Sequence, residues 1–76
     1  VVVHRDDVVM KEGESYQRMY QVVRGAVRVE KVINGELKVL SRMGASETFG
    51  DMSFLTGSPA SASCLADTDE CELTII

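Results

Sequence analysis

The segment Phe49–Ser63 carries two glycines, a carboxylate, several hydroxyls and the chain's one proline between two strand-like runs. Glycine directly before Asp51 lets the backbone come close to a ligand, and a short apolar turn after it can present free N–H groups to a phosphate. The Asp51 carboxylate can accept a hydrogen bond from a sugar hydroxyl. This spacing predicts a small anion-binding loop, although Phe-Gly-Asp also occurs in ordinary turns.

Other segments occur in an order that matches a known family. They are Lys11–Glu14, Tyr20–Val29 and Ala66–Glu70, with glycines at the expected turns. Together with Phe49–Ser63, they make nearly the whole chain resemble the cyclic nucleotide-binding domain family. The phosphate-binding cassette of that family reads Phe-Gly-Glu, a few apolar residues, a short loop, and then Pro-Arg-Ala-Ala or Pro-Arg-Thr-Ala.

The resemblance assigns the ligand contacts to one set of residues. These are Phe49, Gly50, Asp51, Met52, Ser53, Ala60, Ser61 and Ala62. Gly50 would allow close approach of the ligand, or it would satisfy a turn with positive φ. Asp51 would accept a hydrogen bond from the ribose 2′-hydroxyl, or it would cap the following turn. Met52 fits a core position, together with Phe54 and Leu55, better than a ligand contact.

Three positions depart from the family pattern. Asp51 replaces the usual glutamate, Ser46 stands where glycine is common, and Ala60 takes the place of the arginine that binds the cyclic phosphate. A charge-assisted contact to phosphate contributes roughly 1.5–3 kcal/mol, so its absence predicts about 10- to 150-fold weaker binding. The anion would then depend on backbone N–H groups and on the hydroxyls of Ser53, Ser61 and Ser63. Arginines on neighbouring strands or loops that could compensate are Arg18, Arg24 and Arg42.

The composition predicts one small folded domain. The chain has 76 residues, of which 45% are apolar and 26% are charged. Its formal charge of −4 disfavours general binding to nucleic acid or anionic lipid. No apolar run is long enough to predict a membrane span or a signal peptide. Two cysteines, Cys64 and Cys71, favour reduced thiols and a cytoplasmic setting, although a tight turn at Asp67–Thr68 would let them face each other and form a disulfide under oxidation.

Short runs rich in valine, isoleucine and tyrosine alternate with turn residues, which predicts an all-β fold of about seven or eight strands. We expect an antiparallel β-roll or jelly-roll barrel over residues 1–76, with one short cassette helix near Asp51 to Leu55. In the run Ala26–Glu30, Val27 and Val29 should face the core while Arg28 and Glu30 face water. The expected buried residues are Tyr20, Val22, Val27, Val29, Leu40, Ala62 and Leu73.

The Asn34–Gly35 pair predicts a hairpin. A two-residue turn would place Lys31 opposite Lys38, two like charges. A wider loop would instead set Val29 against Val39 and Glu30 against Lys38, so we prefer the wider loop.

No arrangement in the chain predicts an enzyme or a metal site. His4 is the one histidine, and the carboxylates Asp67, Asp69, Glu70 and Glu72 do not have the spacing of a calcium loop. We expect those carboxylates to form a solvated acidic edge.

The resemblance implies helices on both flanks of the roll, and because Ile76 falls within the last expected strand, we expect a fragment of a longer regulatory protein. The predicted function is a cyclic nucleotide-binding regulatory module, with cAMP or cGMP as its ligand, no other cofactor, and the protein's other domains as partners. It either binds the nucleotide weakly or has lost binding. The alternative is a ligand-independent β-roll that binds another protein segment through an exposed apolar surface.

Overall fold

A computed structural model of the chain describes residues 1–14, 18–50 and 62–76. Strands account for most of these residues, and no helix occurs among them. The strands are β1 (Val2–His4), β2 (Val8–Met10), β3 (Met19–Arg24), β4 (Val27–Ile33), β5 (Glu36–Met43), β6 (Thr48–Gly50), β7 (Ser63–Ala66) and β8 (Glu70–Ile75). The expected helical turn near Asp51 lies outside the described residues.

Two four-stranded antiparallel sheets enclose the core. The first sheet has the order β1-β8-β3-β6, and the second has the order β2-β7-β4-β5. Strands that follow each other in sequence mostly enter different sheets, which is typical of a jelly roll. The predicted all-β roll is therefore confirmed.

Side chains from both sheets meet in one apolar cluster. The predicted burial of Tyr20, Val22, Val27 and Leu73 is confirmed, and Val29 packs against the same cluster. Its other members are Met10, Phe49, Cys64, Ala66 and Cys71. The alternation of apolar residues along each strand is what turns these side chains to one face.

The β4–β5 connection differs from the wider loop we expected. Asn34 and Gly35 form a two-residue turn with φ of 53° and 80°, the backbone that an Asn-Gly hairpin turn requires. Lys31 lies opposite Lys38. The preference for a wider loop was therefore wrong.

A β-bulge lies further along the same hairpin. Glu30 pairs with Val39 and Val29 pairs with Ser41, so Leu40 is the extra residue of β5. Leu40 is 50% exposed, and its predicted burial was wrong. The bulge shifts the register by one residue, and this keeps Ser41 on the face of Val29.

The two cysteine-bearing strands do not pair with each other. Strand β7 lies between β2 and β4 in the second sheet, whereas β8 lies between β1 and β3 in the first sheet. The cross-strand pairing that would have placed Cys64 opposite Cys71 is therefore wrong, and the two buried cysteines form no disulfide with each other. Burial also raises the pKa of the Cys71 thiol, which keeps it protonated and unreactive at neutral pH.

Candidate functional site

The described part of the cassette begins at the end of β6. Phe49 pairs with Tyr20 and Gly50 pairs with Met19 of β3. The rings of Phe49 and Tyr20 stack with centroids 5.3 Å apart and planes 18° apart. Phe49 is buried in the core cluster, so its side chain fixes the start of the cassette to the first sheet.

Gly50 is held by close contact with the neighbouring strand. A Cβ at this position would lie 2.8 Å from both Cα and Cγ of Met19, and 3.0 Å from the carbonyl oxygen of Arg18. Two strand backbones at such a distance leave no room for a side chain. The φ of Gly50 is 159°, so the positive φ considered from the sequence is present as well. Strand packing adds a second requirement for glycine that the sequence did not show.

The described end of the cassette is Ala62 together with Ser63, which begins β7. Ala62 is half-buried, and Cys64 further along β7 belongs to the core. Ser63 pairs with Glu30, and its Oγ accepts a hydrogen bond from the Glu12 backbone N–H at 2.9 Å. We expected the Ser63 hydroxyl to help bind the anion, but it instead accepts a hydrogen bond from the segment that follows β2.

The remaining predicted contacts are Asp51, Met52, Ser53, Ala60 and Ser61. They lie outside the described residues, as do the proposed anchors Phe54 and Leu55. Their roles remain predictions from the sequence.

Two of the three arginines considered as substitutes for the missing cassette arginine have carboxylate partners. Arg42 Nε contacts Asp67 Oδ2 at 2.6 Å. The Arg24 guanidinium lies 3.5 Å from Glu70 and 3.7 Å from Glu72. These contacts engage both arginines in ion pairs, whereas Arg18 immediately precedes the strand that pairs with Gly50.

A charge cluster on the outer face of the second sheet was missed by the sequence analysis. Arg28 forms ion pairs with Glu30, with Asp6 at 2.7 Å and with Asp67 at 3.2 Å. The Arg28 and Glu30 side chains are only 17% and 10% exposed, so the prediction that they face water was wrong. They do lie on the face opposite the core, but their partners cover them.

The cluster has clear electrostatic consequences. The hydrogen bonds to Glu30 and Asp6 raise the pKa of Arg28 further above its already high range. Hydrogen bonds from Arg42 and Arg28 hold the pKa of Asp67 below its usual range, although partial burial acts in the opposite direction. No spacing rule shows this cluster, because Asp6, Arg28 and Asp67 come from three distant segments.

Of the four acidic residues expected to form a solvated edge, Asp69, Glu70 and Glu72 are exposed as predicted, with side chains 93%, 61% and 43% accessible, but the strand edge is not there. Strand β8 is flanked on both sides, so it is not an edge strand. Asp69 contacts Arg5 at 3.0 Å, and Asp67 is only 24% exposed. Within residues 1–14, 18–50 and 62–76, no group of histidine, cysteine and acidic side chains has the arrangement of a metal site. The same residues contain no helix long and apolar enough to cross a membrane.

Comparison with known proteins tests the resemblance directly. Cyclic GMP-binding protein C of Dictyostelium discoideum is 34% identical to the chain over 79 residues, which is 95% of this chain and 3% of that protein. The cyclic nucleotide-binding domain from Methylobacillus flagellatus has a TM-score of 0.86 at 29% identity, over 99% of this chain and 42% of that chain.

Two further structures have a similar fold. The cAMP-bound form of the EAL enzyme Bd1971 has a TM-score of 0.89 at 29% identity, covering 100% of this chain and 20% of that one. The cAMP complex of the Toxoplasma gondii PKA regulatory domain has a TM-score of 0.90 at 24% identity, covering 100% and 29%, and this likeness concerns the fold alone. The chain thus spans less than half the length of each of these relatives.

The family itself is established by a match to the full chain. The sequence model of the cyclic nucleotide-binding domain family matches residues 1–76, which include β6 before the cassette and β7 at its end. The resemblance found in the sequence is confirmed: the chain belongs to the cyclic nucleotide-binding domain family.

Proposed function

We propose that the chain binds cAMP or cGMP at its cassette and acts as a non-catalytic regulatory module of a longer protein. The observation that carries this proposal is the family match over residues 1–76. A structural relative is known in both cAMP-bound and cGMP-bound forms, and these forms are 29% and 28% identical to the chain. The small share of each relative that the chain covers supports a role beside other domains.

The proposed site comprises the residues assigned from the sequence. They are Phe49, Gly50, Asp51, Met52, Ser53, Ala60, Ser61 and Ala62. Asp51 accepts a hydrogen bond from the ribose hydroxyl, while backbone N–H groups and the hydroxyls of Ser53 and Ser61 bind the cyclic phosphate. Alanine at position 60 makes this a weak site, because a neutral methyl group replaces a charge-assisted contact.

Restoring the arginine tests this proposal. We expect Ala60→Arg to strengthen cAMP or cGMP binding about 10- to 150-fold in calorimetric titrations, the range of one arginine–phosphate contact. Asp51→Ala in the Ala60→Arg background should weaken binding again. Ala45→Arg is the matched control, since it adds the same charge at an exposed residue between β5 and β6 and should leave affinity unchanged.

An exposed apolar patch favours the second candidate, a ligand-independent interaction module. Val32 and Leu37 pair across the β4–β5 hairpin, Val39 follows on the same face, and all three side chains are exposed. Such clusters often bind other proteins. A folded chain that binds neither nucleotide, both before and after Ala60→Arg, would contradict the first proposal and favour this one.

A further inference from the structure

The end of the β4–β5 hairpin extends beyond its neighbour in the second sheet. Strand β7 begins at Ser63, whose partner in β4 is Glu30. Among the described residues, the last three of β4 pair with β5 alone. The β-bulge at Leu40 lies next to the pair of Glu30 with Val39, so the hairpin bends at the level where β7 begins. In the described part of the chain, residues 31–38, which we call the hairpin arm, therefore have fewer strand neighbours than the rest of the hairpin.

Glu12 contacts the side of the hairpin arm that faces away from β5. Its Oε1 accepts a hydrogen bond from the Val32 backbone N–H at 3.2 Å. Its Oε2 lies 3.7 Å from Lys31 Nζ, and both side chains are half-buried. Successive residues of an antiparallel strand direct their N–H groups to opposite sides, so the Val32 N–H is one that a further strand would accept. The Glu12 carboxylate thus takes the place of a neighbouring strand at this point.

The backbone of Glu12 is attached to the described end of the cassette. Its N–H donates a hydrogen bond to Ser63 Oγ at 2.9 Å. Glu12 is also the second residue of a four-residue turn, which is closed by a hydrogen bond from the Glu14 N–H to the Lys11 carbonyl oxygen at 3.1 Å. The third residue, Gly13, has the positive φ, +88°, that a type II turn requires. Because this short turn fixes the backbone that carries the carboxylate, Glu12 connects Ser63 to the hairpin arm.

We propose that Glu12 is a positioning residue that couples Ser63, at the end of the cassette, to the hairpin arm. While Glu12 holds the Val32 N–H and Lys31, the arm is fixed to the roll; when the bond to Ser63 is lost, the carboxylate is released and the arm moves about the bulge. The arm carries the exposed side chains of Val32 and Leu37. The coupling thus gives a change at Ser63 a physical route to an apolar surface on another element. It operates without nucleotide, so the inference goes beyond the proposed function.

Hydrogen exchange of the Val32 amide, followed by NMR in the chain without nucleotide, tests the proposal. Glu12→Ala should speed this exchange about 2- to 10-fold, the range of one hydrogen bond, and Glu12→Gln, which keeps an acceptor but not the charge, should fall between it and the wild type. Ser63→Ala removes no atom that contacts the arm in the described structure, yet it should also speed exchange at Val32. Glu47→Gln is the matched control, since the Glu47 carboxylate accepts a hydrogen bond from the Gly44 N–H at 2.6 Å in a different turn and should leave Val32 unchanged.

A double-mutant cycle shows whether Ser63 acts through Glu12. If it does, Ser63→Ala should speed exchange at Val32 less in the Glu12→Ala background than in the wild type. Equal factors in the two backgrounds would overturn the coupling. The Val29 amide, in the part of β4 that pairs with both β5 and β7, is the internal reference for general loss of stability. Acceleration at Val32 that is matched at Val29 would also overturn the proposal.

The outcomes separate this inference from the proposed function. A Val32 amide that exchanges at one rate in the wild type, Glu12→Ala and Ser63→Ala overturns the role of Glu12 and leaves nucleotide binding intact. A folded wild-type chain that binds neither cAMP nor cGMP overturns the proposed function, whereas faster exchange at Val32 in both variants, with Val29 unchanged, still supports the coupling.

Discussion

At the residue scale, Gly25 shows how a single position depends on distant backbone. A Cβ there would lie 2.5 Å from Thr68 Oγ1, 2.6 Å from the Glu70 carbonyl oxygen and 3.0 Å from Cys71 Cα, and the φ of Gly25 is +87°. We predict that Gly25→Ala lowers the free energy of unfolding by about 3 kcal/mol, from positive φ plus overpacking. Urea midpoints measure this loss.

Gly35 is the matched control for that substitution. Its φ is +80°, but nothing lies within 4 Å of the position of its Cβ. Gly35→Ala should therefore cost only the conformational part, about 1–2 kcal/mol. Equal losses for the two variants would show that the contact with β8 is not what requires Gly25.

The sequence predicted which side of a strand each side chain lies on, but it did not predict which distant residues pack over that side chain. Alternation in Ala26–Glu30 correctly separated Val27 and Val29 from Arg28 and Glu30. It could not show that Arg28 is covered, because its partners Asp6 and Asp67 come from segments far away in the chain. At the site, Gly50 was predicted as important, yet its contact with Met19 depends on a strand pairing that no local pattern shows.

At the scale of elements, the β4–β5 hairpin shows why turn chemistry can outweigh charge. The sequence located the turn at Asn34–Gly35, but repulsion between Lys31 and Lys38 argued against the tight register. Each lysine is compensated by a carboxylate: Lys31 lies 3.7 Å from Glu12, and Lys38 lies 2.8 Å from Glu36. Glu36 belongs to the hairpin, but Glu12 follows β2, so the compensation of Lys31 could not be found within the hairpin itself.

The turn between β5 and β6 offers a stabilising substitution. Ser46 has a φ of 77°, and its backbone N–H donates to the Val22 carbonyl oxygen at 2.8 Å. Because this bond fixes an unfavourable conformation, we predict that Ser46→Gly raises the free energy of unfolding by about 0.5–1 kcal/mol, as relief of strain exceeds the entropy cost of glycine. Ser46→Ala should bring no gain. Denaturant midpoints for the two variants check this, and a loss of stability in Ser46→Gly would contradict it.

At the scale of the whole molecule, the β-roll and most of its core were predictable because alternation is local. The assignment of strands to sheets was not. Instead of the hairpin considered at Asp67–Thr68, the strands pair across the chain, with β1 beside β8 and β2 beside β7. These long-range pairings also bring Asp6, Arg28, Arg42 and Asp67 together, so the charge cluster is a property of the complete roll.

Asp67 contacts residues of β4 and β5 and the residue before β4, and these contacts make the stability of the roll depend on pH. Its carboxylate contacts Arg28 and Arg42, and its backbone N–H donates to the Ala26 carbonyl oxygen at 2.9 Å. The pKa of Asp67 is lowered in the folded chain, chiefly by the hydrogen bond from Arg42. Its contribution to stability is therefore complete above the unfolded pKa of about 3.9 and is lost as pH falls through the lower folded pKa.

Asp67→Asn tests this linkage. We predict that the variant is less stable than the wild type at about pH 7 and that the two urea midpoints converge as pH falls below about 3.9 and through the lower folded pKa of Asp67, because acid removes from the wild type the charge that the variant already lacks. Asp69→Asn is the control, since the Asp69 side chain is 93% exposed and its ion pair with Arg5 lies at the surface. Its midpoint should follow that of the wild type. If the urea midpoints of the wild type and Asp67→Asn fall in parallel as pH is lowered, the loss of stability comes from other carboxylates, and the ion pairs of Asp67 do not stabilise the roll.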